Sequence, residues 1–376
     1  HVILVIGVVA WAWSVLHILT TRYTPAGTSA WLLLIILLPY AGVPLYALFG
    51  GRKLRRVLKS KAHIHLRRNA VIPDTEGSEI DRLLRGLGIP GATAGNRLQQ
   101  LNDGRESWEA VTHLIDSAER SIDLLIYVFK NDEIGRSIVD RLARKAASGV
   151  KVRVLYDSMG SWATRPHFFE RLEAAGGKAV RFMPTGFWPF RSRTNLRNHR
   201  KILVVDGIHA WAGGMNIGEE YMGPGPNQDR WFDLSFTLEG PAVQALAEIF
   251  HSDWAFATSE PLEEPGDPSP PVAPGNEGIV QIVPSGPDVD HDPLYSLLVA
   301  LAYLARRRLW IVTPYFVPNE SLSEALCLAA LRGLDVRIFM PQRSNHLLPD
   351  LARGPYLRDL QKAGAKVHLS RSMLHA

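Results

Sequence analysis

The segment NHRKILVVDGIHAWAGGMN, residues 198–216, gathers His199, Lys201, Asp206 and Asn216 into one short stretch. Asp206-Gly207, flanked by the apolar runs ILVV and IHAWA, predicts a hairpin, because glycine accepts the positive φ of a type I′ turn. On the strand entering that turn, a period of two puts His199 and Lys201 on one face. An imidazole, which can attack or carry a proton, then projects beside a fixed positive charge, a pairing suited to an anionic substrate. Asp206 has the opposite parity and sits at the turn, where shaping the hairpin is its expected role. A His-x-Lys pair alone is a weak signal, so the surrounding elements must carry part of the case.

From about residue 106 the pattern is that of a mixed α/β unit. SIDLLIYVF reads as a buried strand, IGRSIVDRLARKAASG as an amphipathic helix ending at Gly149, and VKVRVLYD as the next strand. The helix FFERLEAAGG then leads to KAVRFMP. Alternating strands and helices predict a parallel or mixed sheet covered by helices. The proline-rich segment SEPLEEPGDPSPPVAPGNEG, residues 259–278, reads as a linker. After it the grammar returns as RRLWIVTPYF, SLSEALCLAALRG, LDVRIFMP and YLRDLQKAGAKVHL. The match of ASGVKVRVLYD to LRGLDVRIFMP, and of AAGGKAVRF to KAGAKVHLS, is an internal duplication offset by 184 to 188 residues. Two such units can pack as a pseudo-twofold pair sharing one site. KAVRFMP precedes His199, and its counterpart KVHLSRSM precedes His375 by a shorter loop. His375-Ala376 thus stands where a second His-x-Lys begins, so the full protein is expected to continue with a lysine two places after His375.

The chain is 376 residues long and carries 42 Lys and Arg against 37 Asp and Glu, unevenly distributed. Residues 2–19 and 30–49 hold no formal charge. Each is close to the roughly 20 residues that a helix needs to cross a bilayer, which predicts a transmembrane helical hairpin. Pro39 and Pro44 can kink its second helix, a feature tolerated where neighbouring groups satisfy the freed carbonyl. Between Gly51 and Arg68 there are eight Lys or Arg and no acid. By the positive-inside rule this places everything downstream in the cytoplasm, beside anionic lipid. Cys327 is the only cysteine, which excludes disulfides and a Cys-based zinc site within the chain. The expected organisation is two transmembrane helices (1–50), a basic connecting segment (51–105), a first α/β unit (106–258), the linker (259–278) and a second unit (279–376).

His-x-Lys-x4-Asp followed by GGMN resembles the HKD signature of the phospholipase D superfamily, which also shows a duplicated architecture. More narrowly, almost the whole chain resembles bacterial cardiolipin synthases. The paired N-terminal spans, the basic stretch, IYVFKNDEIG, GGMNIGEEYMG, WFD at 231–233, FHSDW, SGPD at 285–288 and TPYFVP at 313–318 carry that likeness. The resemblance implies duplicated phospholipase D-like α/β/α sandwich domains in a multi-pass enzyme of the bacterial inner membrane, with its catalytic domains facing the cytoplasm. It implies transfer of a phosphatidyl group from one phosphatidylglycerol to the glycerol hydroxyl of another, giving cardiolipin and glycerol through a phosphohistidine. His199, Lys201, Asp206 and His375 are then the candidate catalytic residues. One histidine attacks phosphorus and the other moves the proton. Lys201 and Asn216 donate to the non-bridging oxygens, and Asp233 orients a catalytic imidazole through its other ring nitrogen. No metal and no cofactor is required, and the expected partners are phosphatidylglycerol and anionic membrane lipid rather than nucleic acid. Glu219 and Glu220 read as surface residues, Tyr315 as packing near the site, and His63, His65, His209, His251, His291 and His346 as structural or solvent-facing. The alternatives are a hydrolase or nuclease with the same site, with residues 51–68 or Arg191, Arg193 and Arg197 gripping phosphates, and a non-enzymatic membrane scaffold.

Overall fold

The computed structural model describes residues 2–21, 25–49, 78–183, 197–263, 269–272, 278–286, 289 and 292–375. The basic stretch 51–68, with His63 and His65, lies outside them, as do Arg191, Arg193 and His291. The helices of residues 2–49 belong to one compact unit and the sheets from residue 78 onward to another.

In the N-terminal unit α1 is Val2–Thr20, α2 Pro25–Leu37 and α3 Pro39–Phe49. The second apolar run is therefore two short helices rather than one span. Proline disfavours helical backbone at the residue before it and has no N–H to bond the carbonyl four residues back. That carbonyl belongs to Ile35, and the Trp11 indole donates to it at 3.2 Å. Ile18, Ile35 and Tyr46 form the buried centre of the unit. At 19 residues α1 rises about 28 Å, just under the ~30 Å of a hydrocarbon core. Among the described residues no helix is long and apolar enough to cross a membrane.

The second unit opens with α4 (Glu79–Gly86), β1 (Thr93–Leu101) and α5 (Gly104–Ser117). The predicted alternation follows as β2 (Ser121–Ile126), α6 (Glu133–Ala147), β3 (Lys151–Asp157), a 3-10 turn (Pro166–Phe169) with α7 (Glu170–Ala174), and β4 (Lys178–Phe182). The hairpin is β5 (Ile202–Val205) and β6 (His209–Gly213), antiparallel, with Val205 opposite His209. Asp206 and Gly207 both have positive φ, 55° and 73°, as a type I′ turn requires. Next come β7 (Ser235–Glu239), α8 (Val243–Thr258) and β8 (Gly278–Val280), completing one sheet in the order β4-β3-β2-β5-β6-β7-β1-β8. The sheet reaches back past residue 106 to Thr93, because β1 pairs antiparallel with β7. Its polar sequence TAGNRLQQL gives little strand signal of its own. Trp108, Ile115, Ile138 and Leu142 cover one face of the sheet, and α8 packs against β2, β4, β5 and β6 on the other.

The second repeat consists of α9 (Pro293–Leu304), β9 (Arg308–Val312), α10 (Glu320–Leu331), β10 (Asp335–Pro341), α11 (Leu347–Ala352), α12 (Gly354–Lys362) and β11 (Lys366–Ser370). Its three strands run parallel in the order β11-β10-β9, matching β4-β3-β2. The register repeats as well. Arg153 lies opposite Lys178 in the first triplet, and Arg337 opposite Lys366 in the second. The duplication in sequence is thus a duplication in fold.

Candidate active site

Expected on the strand entering the hairpin, His199 and Lys201 lie instead in the segment just ahead of β5, which begins only at Ile202, and their side chains meet there all the same. The Lys201 ammonium donates to His199 Nδ1 at 2.9 Å and to the His199 carbonyl at 2.7 Å. Lys201 is only 4% exposed and sits 5.4 Å from the centre of the Tyr127 ring. Burial pushes its pKa down to about 8, against a partial rescue by the Asp233 carboxylate. His199 is exposed, and its ring centre lies 4.2 Å from that of Tyr127. Desolvation in this seat, with the charges of Lys201 and His375, lowers its pKa to about 4. At neutral pH His199 is therefore a neutral imidazole, able to attack or to accept a proton.

Three carboxyl-bearing contacts hold the segment around it. Asn198 N donates to Asp157 at the end of β3 (3.2 Å), and Asn198 Nδ2 to Asp253 on α8 (2.6 Å). Arg200 donates to the same Asp253 at 3.2 Å and to the Ser285 carbonyl at 3.1 Å. Burial raises the Asp157 pKa even though the Gly160, Met159 and Asn198 N–H groups all donate to it. FHSDW and SGPD, recognised in the sequence only by resemblance, thus act by pinning the two neighbours of His199. Sequence reading assigned no role to Asp157. Its signal is its place, since sites in α/β sheets gather at the carboxyl ends of strands.

His375 arrives from the second repeat. Phe232 N donates to Met373 O at 2.8 Å, and His375 N donates to Phe232 O at 2.7 Å, a short ladder that crosses between the repeats. This sets His375 Nδ1 2.7 Å from Asp233 Oδ2. Asp233 is buried, and its carboxylate lies so close to Gly214 that a Cβ there would meet it at 2.0 Å, which explains a glycine at that place in GGMN. With Nδ1 on the carboxylate, His375 keeps Nε2 for chemistry. Trp231 flanks its ring at 5.4 Å and Tyr315 at 6.2 Å. The rings of His199 and His375 stand 6.5 Å apart, centre to centre.

Asn216 is buried, and its side-chain oxygen accepts from Val128 N at 2.9 Å. Asp206 lies at the far end of the hairpin strand. Its carboxylate accepts the N–H groups of Glu119, Arg120 and Ser121 at 2.7 to 2.9 Å. Burial alone would raise its pKa, but those three donors and the Arg120 charge lower it. Glu220 pairs with Lys130 at 2.7 Å, and Glu219 accepts from Glu133 N at 3.2 Å, so both brace loops. His251 faces Asp123 at 3.4 Å and His209 faces Glu239 at 3.7 Å. Among the described residues no cluster of His, Cys, Asp or Glu is gathered to hold a metal ion.

With a mixed α/β unit repeated and one histidine of each repeat beside the other, the chain is an enzyme of the phospholipase D superfamily. Within that class the chain belongs to the cardiolipin synthase family, a family of phosphatidyltransferases. The profile described as cardiolipin synthase, PLD-like domain, matches residues 111–254 and 298–376. A second, described as phospholipase D-nuclease N-terminal, matches residues 9–51. Cardiolipin synthase 1 of Bacillus anthracis is 34% identical over 92% of this chain and 72% of its own length. The major cardiolipin synthase ClsA of Bacillus subtilis (strain 168) is 34% identical over 96% of this chain and 80% of its own. Among solved structures, phosphatidylserine synthase of Haemophilus influenzae Rd KW20 shares the fold at a TM-score of 0.54 with 15% identity, over 79% of each chain.

Proposed function

We propose that the full protein makes cardiolipin and glycerol from two phosphatidylglycerol molecules through a phosphohistidine. One imidazole attacks phosphorus, and the bond to the glycerol headgroup breaks as the other imidazole protonates the departing alkoxide. A glycerol hydroxyl of the second phosphatidylglycerol then attacks phosphorus and gives its proton to that same ring. The phosphorus–nitrogen bond breaks and the first imidazole is restored. Lys201 supplies positive charge to the phosphoryl oxygens. Asp233 orients His375, Asn216 supports the loop beside the site, and Asp206 holds the hairpin that carries His199 and Lys201. The chemistry asks for no metal or cofactor.

The observation that supports this reading best is the pair of histidines, one from each repeat, facing each other across 6.5 Å. The reading also places the enzyme in the bacterial inner membrane, with α1 to α3 as its anchor and the catalytic repeats on the cytoplasmic side, next to anionic lipid. Nucleic acid is not a substrate in this scheme. The test is lipid analysis after expressing the full-length protein in a host free of cardiolipin. Cardiolipin and glycerol are expected. Phosphatidic acid instead would make the enzyme a hydrolase, and no new lipid would return it to a scaffold.

A further inference from the structure

The loops that follow β3 and β10 occupy equivalent places in the two repeats, at the carboxyl end of the middle strand of each parallel triplet. Both are tied to the site. After β3, Ser161 Oγ donates to the Tyr127 carbonyl at 3.0 Å and accepts from Phe129 N at 2.9 Å, while Tyr127 packs on His199. After β10, the Tyr315 hydroxyl donates to Asn345, and the Tyr315 ring lies 5.3 Å from His346 and 6.2 Å from His375.

Beyond these anchors the side chains turn outward. Trp162 is 77% exposed, with Met159 beside it, and Leu347, Leu348 and Leu351 are 70%, 78% and 68% exposed on α11. A single exposed leucine needs no explanation, but half the residues of a six-residue helix, mirrored by a tryptophan in the equivalent loop, form an interaction surface. In the first repeat α8 covers the sheet and β5 pairs with β2, and Trp162 remains exposed all the same. Residues 158–169 hold Arg165 and no carboxylate. Residues 342–353 hold Arg343 and Arg353 against one acid, Asp350, which sits between Leu348 and Leu351 and turns back onto Arg353 at 3.1 Å and Ser344 N at 2.8 Å. Exposed leucine and tryptophan with a net positive charge is the composition that suits an anionic bilayer surface.

We propose that these two loops form a rim that rests on an anionic bilayer, so that a lipid phosphodiester passes between them to His199 and His375 without leaving the membrane. The choice of a lipid surface rests on the lipid-transferring function above. The rim is tested in the full-length protein with Cys327 and any further native cysteine changed to serine. Trp162→Cys, Leu348→Cys and, at the opposite end of β3, Ser148→Cys are each labelled with bimane and reconstituted into phosphatidylglycerol–phosphatidylcholine vesicles. Brominated acyl chains should quench the labels at 162 and 348 at least about twofold more than the label at 148. Equal quenching at all three positions overturns the proposal, whether the surface is free or covered by a protein. This readout does not depend on turnover, so it stands apart from any failure of the proposed reaction. In a second measurement, Trp162→Ser/Leu348→Ser should lower turnover of vesicle phosphatidylglycerol about tenfold and leave turnover of a monomeric short-chain analogue within about twofold. Loss on both substrates would make these residues part of the site, and loss on neither would leave them no role; either result overturns the rim.

Discussion

Asp233 Oδ2 and His375 Nδ1 lie 2.7 Å apart across 142 positions of sequence and across the join between the repeats. The bond sits within a backbone ladder from Phe232 to Met373 and His375, so neither group is free to wander. A carboxylate from the first repeat thereby fixes the ring and tautomer of the histidine from the second. Each repeat supplies one member of this pair.

Asp233→Asn should therefore lower kcat by about 100-fold or more, the range that positioned proton transfer supplies, while leaving the far-ultraviolet circular dichroism unchanged. An asparagine amide can point its NH2 group at Nδ1 and favour the wrong tautomer. Retention of more than about a tenth of the wild-type rate would show that the ladder alone positions His375.

His199→Ala and His375→Ala should each reduce product formation about a thousandfold or more, and the double variant should be hardly worse than either, because residues that act as one unit are not additive. Losses that multiply in the double variant would mean that the two rings act in separate processes.

Lys201 carries a cost in stability together with its role in the site. Its pKa falls from 10.5 unfolded to about 8 folded. The folded state then binds fewer protons between those values, so stability should rise with pH across that window. Lys201→Met should abolish activity and flatten that rise. Below pH 8 it should also leave the protein as stable or more so, by up to about 3 kcal/mol from the shift alone. For the wild type, activity should decline as pH passes about 8 and the ammonium is lost. Urea melts at several pH values, beside a pH–rate profile, separate the two effects.

Asp206→Ala separates a hairpin role from a catalytic one. Removing the acceptor of three backbone N–H groups should cost about 1 to 3 kcal/mol of stability. Turnover per folded molecule should stay near wild type, measured below the lowered melting temperature. Because the folded pKa of Asp206 is depressed, its contribution is present above the unfolded pKa and fades as pH drops through the folded value. The variant and the wild type should converge in acid. A collapse of kcat at full folding would place Asp206 in the chemistry instead.

Asp253→Ala removes the shared acceptor of Asn198 and Arg200, and with it the clamp on the residues either side of His199. A loss of about 3 to 5 kcal/mol is expected for a broken buried charge contact. Asp253→Asn, which keeps the shape and one acceptor, should be milder in stability and still lower kcat more than it changes KM.

Much of the architecture lies in short windows of sequence. Periods of two and of 3.6, the Asp206-Gly207 turn and the repeat of ASGVKVRVLYD as LRGLDVRIFMP depend on neighbours a few residues apart, and these interactions survive translation into the fold. The nearness of His199 to Lys201 is legible because they stand two residues apart, although the strand itself begins only at Ile202. Other features depend on contacts that no local window contains. β1 is polar and becomes a strand because β7 and β8 offer it ladders on its two edges. The break at Leu38 follows from Pro39, but the repair of the Ile35 carbonyl by Trp11 requires the packing of α1 on α2. Asp157 and Asp253 become the clamps of the histidine segment only when β3 and α8 converge on it. Above all, the sequence marked Asp233 as an orienting carboxylate without saying which imidazole it would orient. That choice belongs to the docking of one repeat on the other, because a hydrogen bond across 142 residues is set by how two sheets pack and by no property of either strand alone.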